Sequence, residues 1–346
     1  MIKVCGRSGV ALVLPIAICL ALTGCSSISR VVGTVTGGEQ SVNSLTNLPG
    51  SNGKILAVKV DDTPQAHPQI GIEQADVVYI EQVEGGLTRL ATIFSNPKDL
   101  PPLIGPVRSA RISDIDILAQ YGRVAFAFSG AQTKLYPVIN SANLENLGAE
   151  HEPASIYSRD STRQAPTNLI LHPQLLLDKA ASEGKVISTA RDMGWKFGKL
   201  SSLAKPLVSV ALKWPASRYT ASWSESEKRW LLDYDGSPDM DSDGKQLGAS
   251  TLVIQKVTIT PSEYHDKVGG VTPFSNTVGS GTGFLLRDGR VIPIYWNRVS
   301  ATTVTTWTLK DGSVAHFAPG RIWIALTDNE HVFTYPAAPT PKNTHN

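Results

Sequence analysis

Residues 55–60 read ILAVKV, and residues 75–82 read ADVVYIEQ. Both are short apolar runs bounded by turn-forming residues, a pattern that predicts buried β-strands. A third predicted strand, at residues 88–94, returns from a turn that Gly85 and Gly86 provide. The beginning of the folded part is therefore predicted to contain a β-hairpin.

Helical patterns follow these strands. Residues 111–121 place Ile115 and Leu118 on one face, and residues 173–182 have a proline at their start and three leucines inside. Strands that alternate with helices indicate an α/β or α+β N-terminal domain over residues 54–185.

The remainder of the folded part shows strand patterns only. From about residue 206, short apolar runs are separated by turns such as Asp288-Gly289 and Asp311-Gly312, which favour hairpins. We therefore predict a mostly antiparallel all-β C-terminal domain over residues 206–336, built as a small barrel or sandwich. Residues 186–205 are the predicted junction, and residues 337–346 are a predicted tail.

The first 25 residues have the features of a bacterial lipoprotein signal. Lys3 and Arg7 precede an uncharged run that ends in LTGC at residues 22–25. Residues 1–24 are predicted to be a signal peptide, and Cys25 is predicted to carry acyl chains that anchor the mature chain in the bilayer. Residues 25–53 are predicted to be this cysteine and a flexible tether rich in Ser, Thr, Gly and Asn.

The charge balance excludes several classes of function. The chain has 32 Lys+Arg and 30 Asp+Glu, and the leader contains two basic and no acidic residues, so 30 of each sign remain after cleavage. A neutral chain does not bind nucleic acid by bulk electrostatics. Of the three cysteines only Cys25 remains, so we expect no disulfide, no thiol nucleophile and no cysteine metal site, and no cofactor is predicted.

No catalytic motif of high specificity occurs in the sequence, since G-x-S-x-G, H-E-x-x-H and the P-loop are all missing. The densest ligand-like triplet is Glu150-His151-Glu152. Because adjacent side chains seldom point at one ion, we interpret this triplet as an exposed loop and not as a metal site.

Alternate aspartates at Asp239, Asp241 and Asp243 precede Gly244, as in the first half of a calcium loop. The position expected to hold a bidentate glutamate is Ser250. We therefore favour a polar β-turn and predict no metal, although the sequence leaves cation binding at this turn open.

Arginines are concentrated in the loops of the N-terminal domain. Guanidinium groups bind carboxylates and phosphates bidentately, and a helix entry such as that near Arg111 favours anions. The candidate ligand-binding residues are Arg89, Arg108, Arg111, Arg159, Arg163 and Asn168. Alternatively, four of these arginines (Arg108, Arg111, Arg159 and Arg163) pair with Glu81, Glu84, Asp114 and Asp160 in a structural network.

Two other functions are compatible with the sequence. Paired carboxylates among Asp61, Glu81 and Glu84 could perform acid–base catalysis on cell-wall glycan or peptide. Alternatively, tryptophans of the β-rich domain could be anchors of a docking surface. Trp296, Trp307 and Trp323 are the candidates for that surface, although core positions are the commoner place for tryptophan.

Several motifs occur together in one order. They are the LTGC signal, QADVVY at 74–79, EGGLTR at 84–89, IGPVRSAR at 104–111, R-x-A-P-x-N at 163–168, G-x-G at 281–283, W-x-R at 296–298 and PGR-x-W at 319–323. In these motifs the chain resembles the YerB-like lipoproteins. The resemblance implies an N-terminal α/β-type domain and a β-rich C-terminal domain, and it implies no reaction.

These observations together predict a lipid-anchored protein on the extracytoplasmic face of a bacterial cell membrane. Its leading predicted function is non-catalytic binding or scaffolding through an arginine-rich cleft of the N-terminal domain. The predicted partners are the lipid bilayer, through acylated Cys25, and a cell-wall component or an envelope protein. The alternative is a wall-acting enzyme that uses the acidic residues of that cleft.

Overall fold

The computed structural model describes residues 41–337. The predicted signal peptide and Cys25 lie outside these residues. Up to residue 185 the described chain is mixed, with helices α1 (Ile112–Ala119), α2 (Tyr136–Ser141) and α3 (Pro173–Ser182). Its strands are β1 (Leu56–Asp61), β2 (Val77–Gln82), β3 (Thr88–Phe94), β4 (Val124–Ala127), β5 (Leu144–Asn146), β6 (Tyr157–Arg159) and β7 (Leu169–Leu171). Short 3-10 turns occur at Pro64–Ala66, Glu84–Gly86, Thr133–Leu135 and Ala149–His151.

Residues 186–337 contain strands and no α-helix. The strands are β8 (Lys196–Phe197), β9 (Lys205–Pro206), β10 (Ser209–Lys213), β11 (Arg218–Ser224), β12 (Arg229–Tyr234), β13 (Ser237–Pro238), β14 (Gly248–Ala249), β15 (Thr251–Lys256), β16 (Thr258–His265), β17 (Val271–Asn276), β18 (Gly279–Arg287), β19 (Arg290–Arg298), β20 (Thr306–Thr308), β21 (His316–Phe317), β22 (Ile322–Thr327) and β23 (Val332–Thr334). A mixed first part followed by a strand-rich second part agrees with the coarse fold prediction.

One sheet of 11 strands runs through both parts of the chain. Its order is β20-β19-β18-β15-β22-β2-β3-β1-β4-β5, and β9 pairs with β19. Strand β22 lies between β15 and β2 and is parallel to both. The strands of the second part therefore do not form a separate barrel or sandwich, because β9, β15, β18, β19, β20 and β22 extend the sheet that begins with β1.

The two faces of this sheet bury different neighbours. On one face, Val58 and Ile80 share a core with Leu176 of α3 and with Trp230 of a second, six-stranded sheet. That sheet contains β13, β12, β11, β10 and β23 in order, with β14 paired to β12. On the other face, Ala57, Tyr79 and Ile93 pack against α1 and α2. The central strands β1, β2 and β3 are buried along nearly their whole length because both of their faces are covered.

Part of the predicted tether is folded. Leu45 is completely buried, and the Asn43 side chain donates a hydrogen bond to the Ser95 hydroxyl (2.9 Å). A backbone bridge joins Val42 to Pro49. The folded part therefore begins before Lys54, because Leu45, which polar residues surround in the sequence, packs in a core of the sheet.

The three candidate tryptophans occupy core positions, the commoner of the two interpretations, and do not form a docking surface. Trp296, Trp307 and Trp323 are each no more than 4% exposed and belong to the two cores. Large aromatic rings stabilise a β-rich core through the apolar area they bury, and these three have little area left for a partner.

Adjacent carboxylates at the end of β1 point to opposite faces of the sheet, as strand geometry requires. Asp61 faces α1 and pairs with Arg108, whereas Asp62 faces the six-stranded sheet. The Asp62 carboxylate accepts hydrogen bonds from the Tyr219 hydroxyl (2.7 Å) and from the Thr88 hydroxyl. Asp62 thus connects the two sheets.

His67 adds a second connection between the same two sheets. Its Nδ1 lies 2.8 Å from the Asp239 carboxylate and its Nε2 lies 3.4 Å from that of Asp62, while its ring stacks on Tyr234. Burial disfavours the charged imidazolium, but the hydrogen bonds and charges of both aspartates outweigh it and raise the pKa of His67 to about 10. Burial raises the pKa of Asp239 to about 6.

The aspartates of the candidate calcium loop point in different directions. Asp239 contacts His67, and the buried Asp241 carboxylate accepts N–H hydrogen bonds from Gly71, Ile72 and Glu73. Asp243 is half-exposed near Lys245. Within residues 41–337 no group of three or more acidic, His or Cys side chains has the geometry of a metal site.

None of the helices described over residues 41–337 is both long enough and apolar enough to cross a bilayer.

Because β22 is surrounded by strands from both parts, we expect the described chain to unfold as one unit. Ile324→Ala removes a fully buried side chain of β22 and should lower the free energy of unfolding by about 2–5 kcal/mol. All seven tryptophans lie after residue 194, so their fluorescence reports the second part, while hydrogen exchange of β1–β3 peptides reports the first. Both probes should shift together, and the exposed Val299→Ala should shift neither. Two separate transitions would contradict the single unit.

The His67 junction should make stability depend on pH. Since the folded-state pKa of His67 lies above its ordinary value of 6.5, its stabilisation is complete below pH 6.5 and is lost as the pH rises through about 10. His67→Gln should therefore cost about 3 kcal/mol at pH 6, with a smaller deficit at pH 9–10, in urea titrations. The exposed His151→Gln is the control. A deficit that does not change with pH would show that His67 acts through packing alone.

Candidate functional site

An open cleft of about 930 Å³ lies where three parallel strands end. Strands β1, β4 and β5 run parallel, and the segments that follow β4 and β5 form much of the cleft wall. Ligands of α/β sheets commonly bind outside the carboxyl ends of parallel strands. The lining residues are Arg108, Ser109, Ser129, Gly130, Ala131, Thr133, Tyr136, Ala149, Glu150, Glu152, Ala154, Tyr157, Arg159, Ala165, Pro166, Leu169 and Lys267.

The segment before α1 is fixed by backbone hydrogen bonds along the cleft. The Arg108 N–H donates to the Lys59 carbonyl (2.8 Å), and the Arg108 carbonyl accepts from the Ser129 N–H (2.9 Å). The Ala110 N–H donates to the Gly130 carbonyl (2.9 Å). These bonds place the side chains of Arg108, Ser109 and Ser129 next to one another, and the two serine hydroxyls are 3.4 Å apart.

Of the predicted arginines, Arg108 is the one that pairs with a buried carboxylate and also lines the cleft. Its Nε donates to the buried Asp61 carboxylate (2.7 Å), and its side chain lines the cleft. Within the described residues, its two terminal nitrogens make no hydrogen bond to the protein. A guanidinium held in this way keeps the pair of donors that binds a planar anion.

Arg159 lines the cleft from the β6–β7 ribbon. Its Nη1 donates to the Asn168 amide oxygen (2.7 Å), and no carboxylate of residues 41–337 forms an ion pair with it. Asn168 is itself nearly buried and is not a lining residue. The amide therefore orients the guanidinium and leaves its charge uncompensated.

Lys267 reaches the cleft from a distant part of the sequence. It lies at the tip of the β16–β17 hairpin, whose strand β17 packs against α1. The hairpin also contacts the loop before α2, because the Gln132 amide donates to the His265 carbonyl (2.7 Å). Lys267 is exposed and adds a second positive charge without an acidic partner in the described structure.

The acidic lining residues differ in their surroundings. Glu152 forms an ion pair with Lys179 of α3 (3.1 Å), so its charge is balanced. Glu150 accepts a hydrogen bond from the Tyr136 hydroxyl, which in turn accepts one from the Ala131 N–H (3.1 Å). Burial and the Glu150 carboxylate raise the pKa of Tyr136 to about 12, so the phenol stays protonated and donates at neutral pH.

The carboxylates proposed for acid–base catalysis do not line the cleft. Glu81 is fully buried against Lys59, and Glu84 pairs with Arg111 (2.7 Å) and accepts from Thr272. Asp61 is held by Arg108. Three carboxylates that are each paired with a cation do not form an open acid–base pair, so the geometry does not support the enzyme alternative through these residues.

These residues belong to a buried network of eight charges that sums to zero. Its cations are Lys59, Arg89, Arg108 and Arg111, and its anions are Asp61, Glu81, Glu84 and Asp114. Burial lowers the pKa of Lys59 to about 8 in spite of Asp114, and burial with the neighbouring arginines lowers that of Arg89 to about 9. Charges taken out of water persist when each is compensated nearby.

The other predicted arginines, Arg89, Arg111 and Arg163, bind protein groups and do not line the cleft. Arg89 is 7% exposed and donates to the Ser109 carbonyl (2.9 Å). Arg111 is the N-cap residue of α1, and its backbone N–H donates to the Asp114 carboxylate (2.7 Å). Arg163 donates to the Ala66 and Pro68 carbonyls and pairs with Asp160.

The structure therefore brings Arg108 and Arg159 together in the cleft, with Asn168 behind Arg159, and places Arg89, Arg111 and Arg163 elsewhere. Ligand binding by these residues stays a prediction. The lining residues that sequence reasoning missed include Ser129, Tyr136 and Lys267. Lys267 had no signal in the sequence, because nothing local indicates that its hairpin returns to the N-terminal part.

Comparison with known proteins identifies relatives. Two family models match the chain: the N-terminal domain of a protein of unknown function (DUF3048) at residues 45–186, and the C-terminal domain of the same family at residues 209–324. The curated protein "Putative lipoprotein YerB" of Bacillus subtilis (strain 168) is 24% identical over 274 residues, which covers 78% of this chain and 80% of that protein.

A solved structure shows the same fold. The crystal structure of the YerB protein from Bacillus subtilis superposes with a TM-score of 0.72 at 21% identity, and the match covers 85% of this chain and 99% of that one. The two family models together cover most of the described residues, with the N-terminal domain followed by the C-terminal domain. The chain belongs to the DUF3048 family, a family of two-part proteins of unknown function.

Proposed function

We propose that this protein is a lipid-anchored, extracytoplasmic binding protein that holds an anionic component of the bacterial envelope in its cleft. The observation that carries the proposal is Arg108. Its Nε is fixed on the buried Asp61 carboxylate while its terminal nitrogens line the cleft without a protein partner in the described residues.

The charges around Arg108 support an anionic ligand. Arg159 and Lys267 have no acidic partner within residues 41–337, whereas the Glu152 charge is balanced by Lys179. The remaining carboxylate, Glu150, leaves the cleft with an excess of positive charge. Cations that meet in one partly enclosed space stabilise an anion more than they do in open water.

Neutral donors complete the site. The Ser109 and Ser129 hydroxyls lie 3.4 Å apart, and both serines line the cleft together with Arg108. Hydroxyl groups and a guanidinium together suit a carboxylate or phosphate oxygen. A wall or envelope component with such a group is the ligand class that we propose.

The membrane location is part of the proposal. It is supported by the signal at residues 1–25 and by the lipoprotein name of the Bacillus relative. Two acyl chains on Cys25 would hold the protein firmly at the membrane surface, since each buried CH₂ contributes about 0.8 kcal/mol. Residues 26–40 then connect the anchor to the folded part.

We predict that binding depends on the two cations without buried acidic partners. Arg159→Ala and Lys267→Ala should each weaken binding of soluble, muramidase-released wall fragments about tenfold in isothermal titration calorimetry, because each removes one charge from the cleft. Arg108→Ala also leaves Asp61 unpaired and is therefore a less clean test.

The matched control is Arg123→Ala, which removes a partly exposed arginine that pairs with Glu145 outside the cleft lining. It should bind like the unmodified protein. Equal binding by Arg159→Ala, Lys267→Ala and the control, with intact folding by circular dichroism, would contradict the proposed site.

Lipid attachment is tested separately. The protein expressed with its leader in a bacterial host should incorporate radiolabelled palmitate, and Cys25→Ser should incorporate none because it lacks the thiol to which the lipid is attached. Cys5→Ser changes a cysteine that leaves with the leader and should behave like the unmodified protein. Palmitate incorporation by Cys25→Ser equal to that of the unmodified protein would contradict the assigned anchor.

A further inference from the structure

The cleft contains opposite charges that do not neutralise each other. Arg159 and Lys267 have no carboxylate partner, and Glu150 has no cation within ion-pair distance in residues 41–337. All three side chains line the same space of about 930 Å³. Exposed opposite charges on long side chains usually approach one another, so the separation requires an explanation.

Each of these charged side chains except Lys267 is held by its own contact with the protein. Glu150 is bound by the Tyr136 hydroxyl, and its Oε1 lies 3.3 Å from the point that a Cβ on Gly130 would occupy. Gly130 has a φ of +155° and no side chain, which leaves room for the carboxylate. Arg159 is held by the Asn168 amide, and Arg108 by the Asp61 carboxylate below the cleft.

One carboxylate oxygen of Glu150 is available to accept a hydrogen bond from a ligand. Tyr136 donates to Oε2, and Oε1 makes no hydrogen bond to the protein within the described residues. With a pKa of about 12, Tyr136 does not supply a second charge at neutral pH. Glu150 therefore presents a negative charge and a vacant acceptor to the same ligand that meets the arginines.

A purely anionic ligand would satisfy only part of this arrangement. It would neutralise Arg159 and Lys267 but would be repelled by Glu150, and like-charge contacts discriminate strongly between partners. A ligand with an ammonium group as well as an anionic group would satisfy both signs. The cleft volume lies in the range that holds a small organic molecule or a peptide of a few residues.

We propose that the ligand is zwitterionic, with a carboxylate bound by Arg108 and Arg159 and an ammonium group bound by Glu150. This inference rests on the proposed anion-binding function and adds the ammonium subsite to it. The chemistry is that of a short peptide or an amino-acid-bearing fragment of the cell wall. Glu150 is then the residue that selects a free amine over an acylated one.

The test uses the full chain in detergent and a wall-type probe, the tripeptide L-alanyl-γ-D-glutamyl-meso-diaminopimelate. Its free form is compared by isothermal titration calorimetry with a form in which both amines are acetylated. For the unmodified protein we expect acetylation to weaken binding at least tenfold. Glu150→Gln should weaken binding of the free peptide by a similar factor and should bind both forms equally.

Glu225→Gln is the matched control, since Glu225 is an exposed glutamate near the end of β11 that does not line the cleft. It should retain the full preference for the free amine. Retention of that preference by Glu150→Gln, or equal binding of both peptides by the unmodified protein, would overturn the ammonium subsite.

Failure of this inference is distinguishable from failure of the proposed function. Suppose that wall fragments bind in a manner that depends on Arg159. If the free and the acetylated peptide then bind equally, or if the free peptide does not bind, only the ammonium subsite is ruled out. If Arg159→Ala changes the binding of neither wall fragments nor peptide, the anion site and the ammonium subsite both fall.

Discussion

The position of β22 is the constraint on which the rest of the structure depends. This strand comes from the last part of the folded chain, yet it lies between β15 and β2 and forms parallel ladders with both. Parallel strands cannot be joined by a tight turn and need a long crossover connection, so β22 holds together segments that are far apart in the sequence. The two family segments are thus parts of one continuous sheet, and the positions of α1, of the six-stranded sheet and of the β16–β17 hairpin all follow from that sheet.

A buried and balanced set of charges determines how the cleft is presented. At the strand ends beneath α1, Lys59 pairs with Glu81 and Asp114, and Arg108 pairs with Asp61. Buried ion pairs contribute little net stability, but removal of one partner is costly, so they hold a particular arrangement of side chains. Arg108 is the member of this set that extends to the surface, and its orientation is therefore set by the interior and not by the solvent.

The sequence predicted local structure well and long-range structure poorly. The runs at β1, β3 and α3 were placed within one or two residues, because strands buried on both faces and a helix with proline at its start leave clear patterns. The shared sheet was not predicted, since an apolar strand such as β22 has the same pattern whichever neighbour it pairs with. Of the candidate residues, Arg108 and Arg159 reached the cleft, whereas Arg89 and Arg163 found partners inside the fold. Nothing in an arginine's local sequence distinguishes these two outcomes.

The Lys267 hairpin has a consequence for the order in which the protein matures. Almost all of the cleft wall is encoded between residues 108 and 169, but its last cation is encoded about 100 residues later. Chains emerge from the ribosome, and fold, from the N-terminus onward. A partly synthesised or truncated chain that ends before this hairpin consequently lacks one of the three cations that line the cleft. The late hairpin in this way makes the charge of the cleft depend on a segment encoded far along the chain.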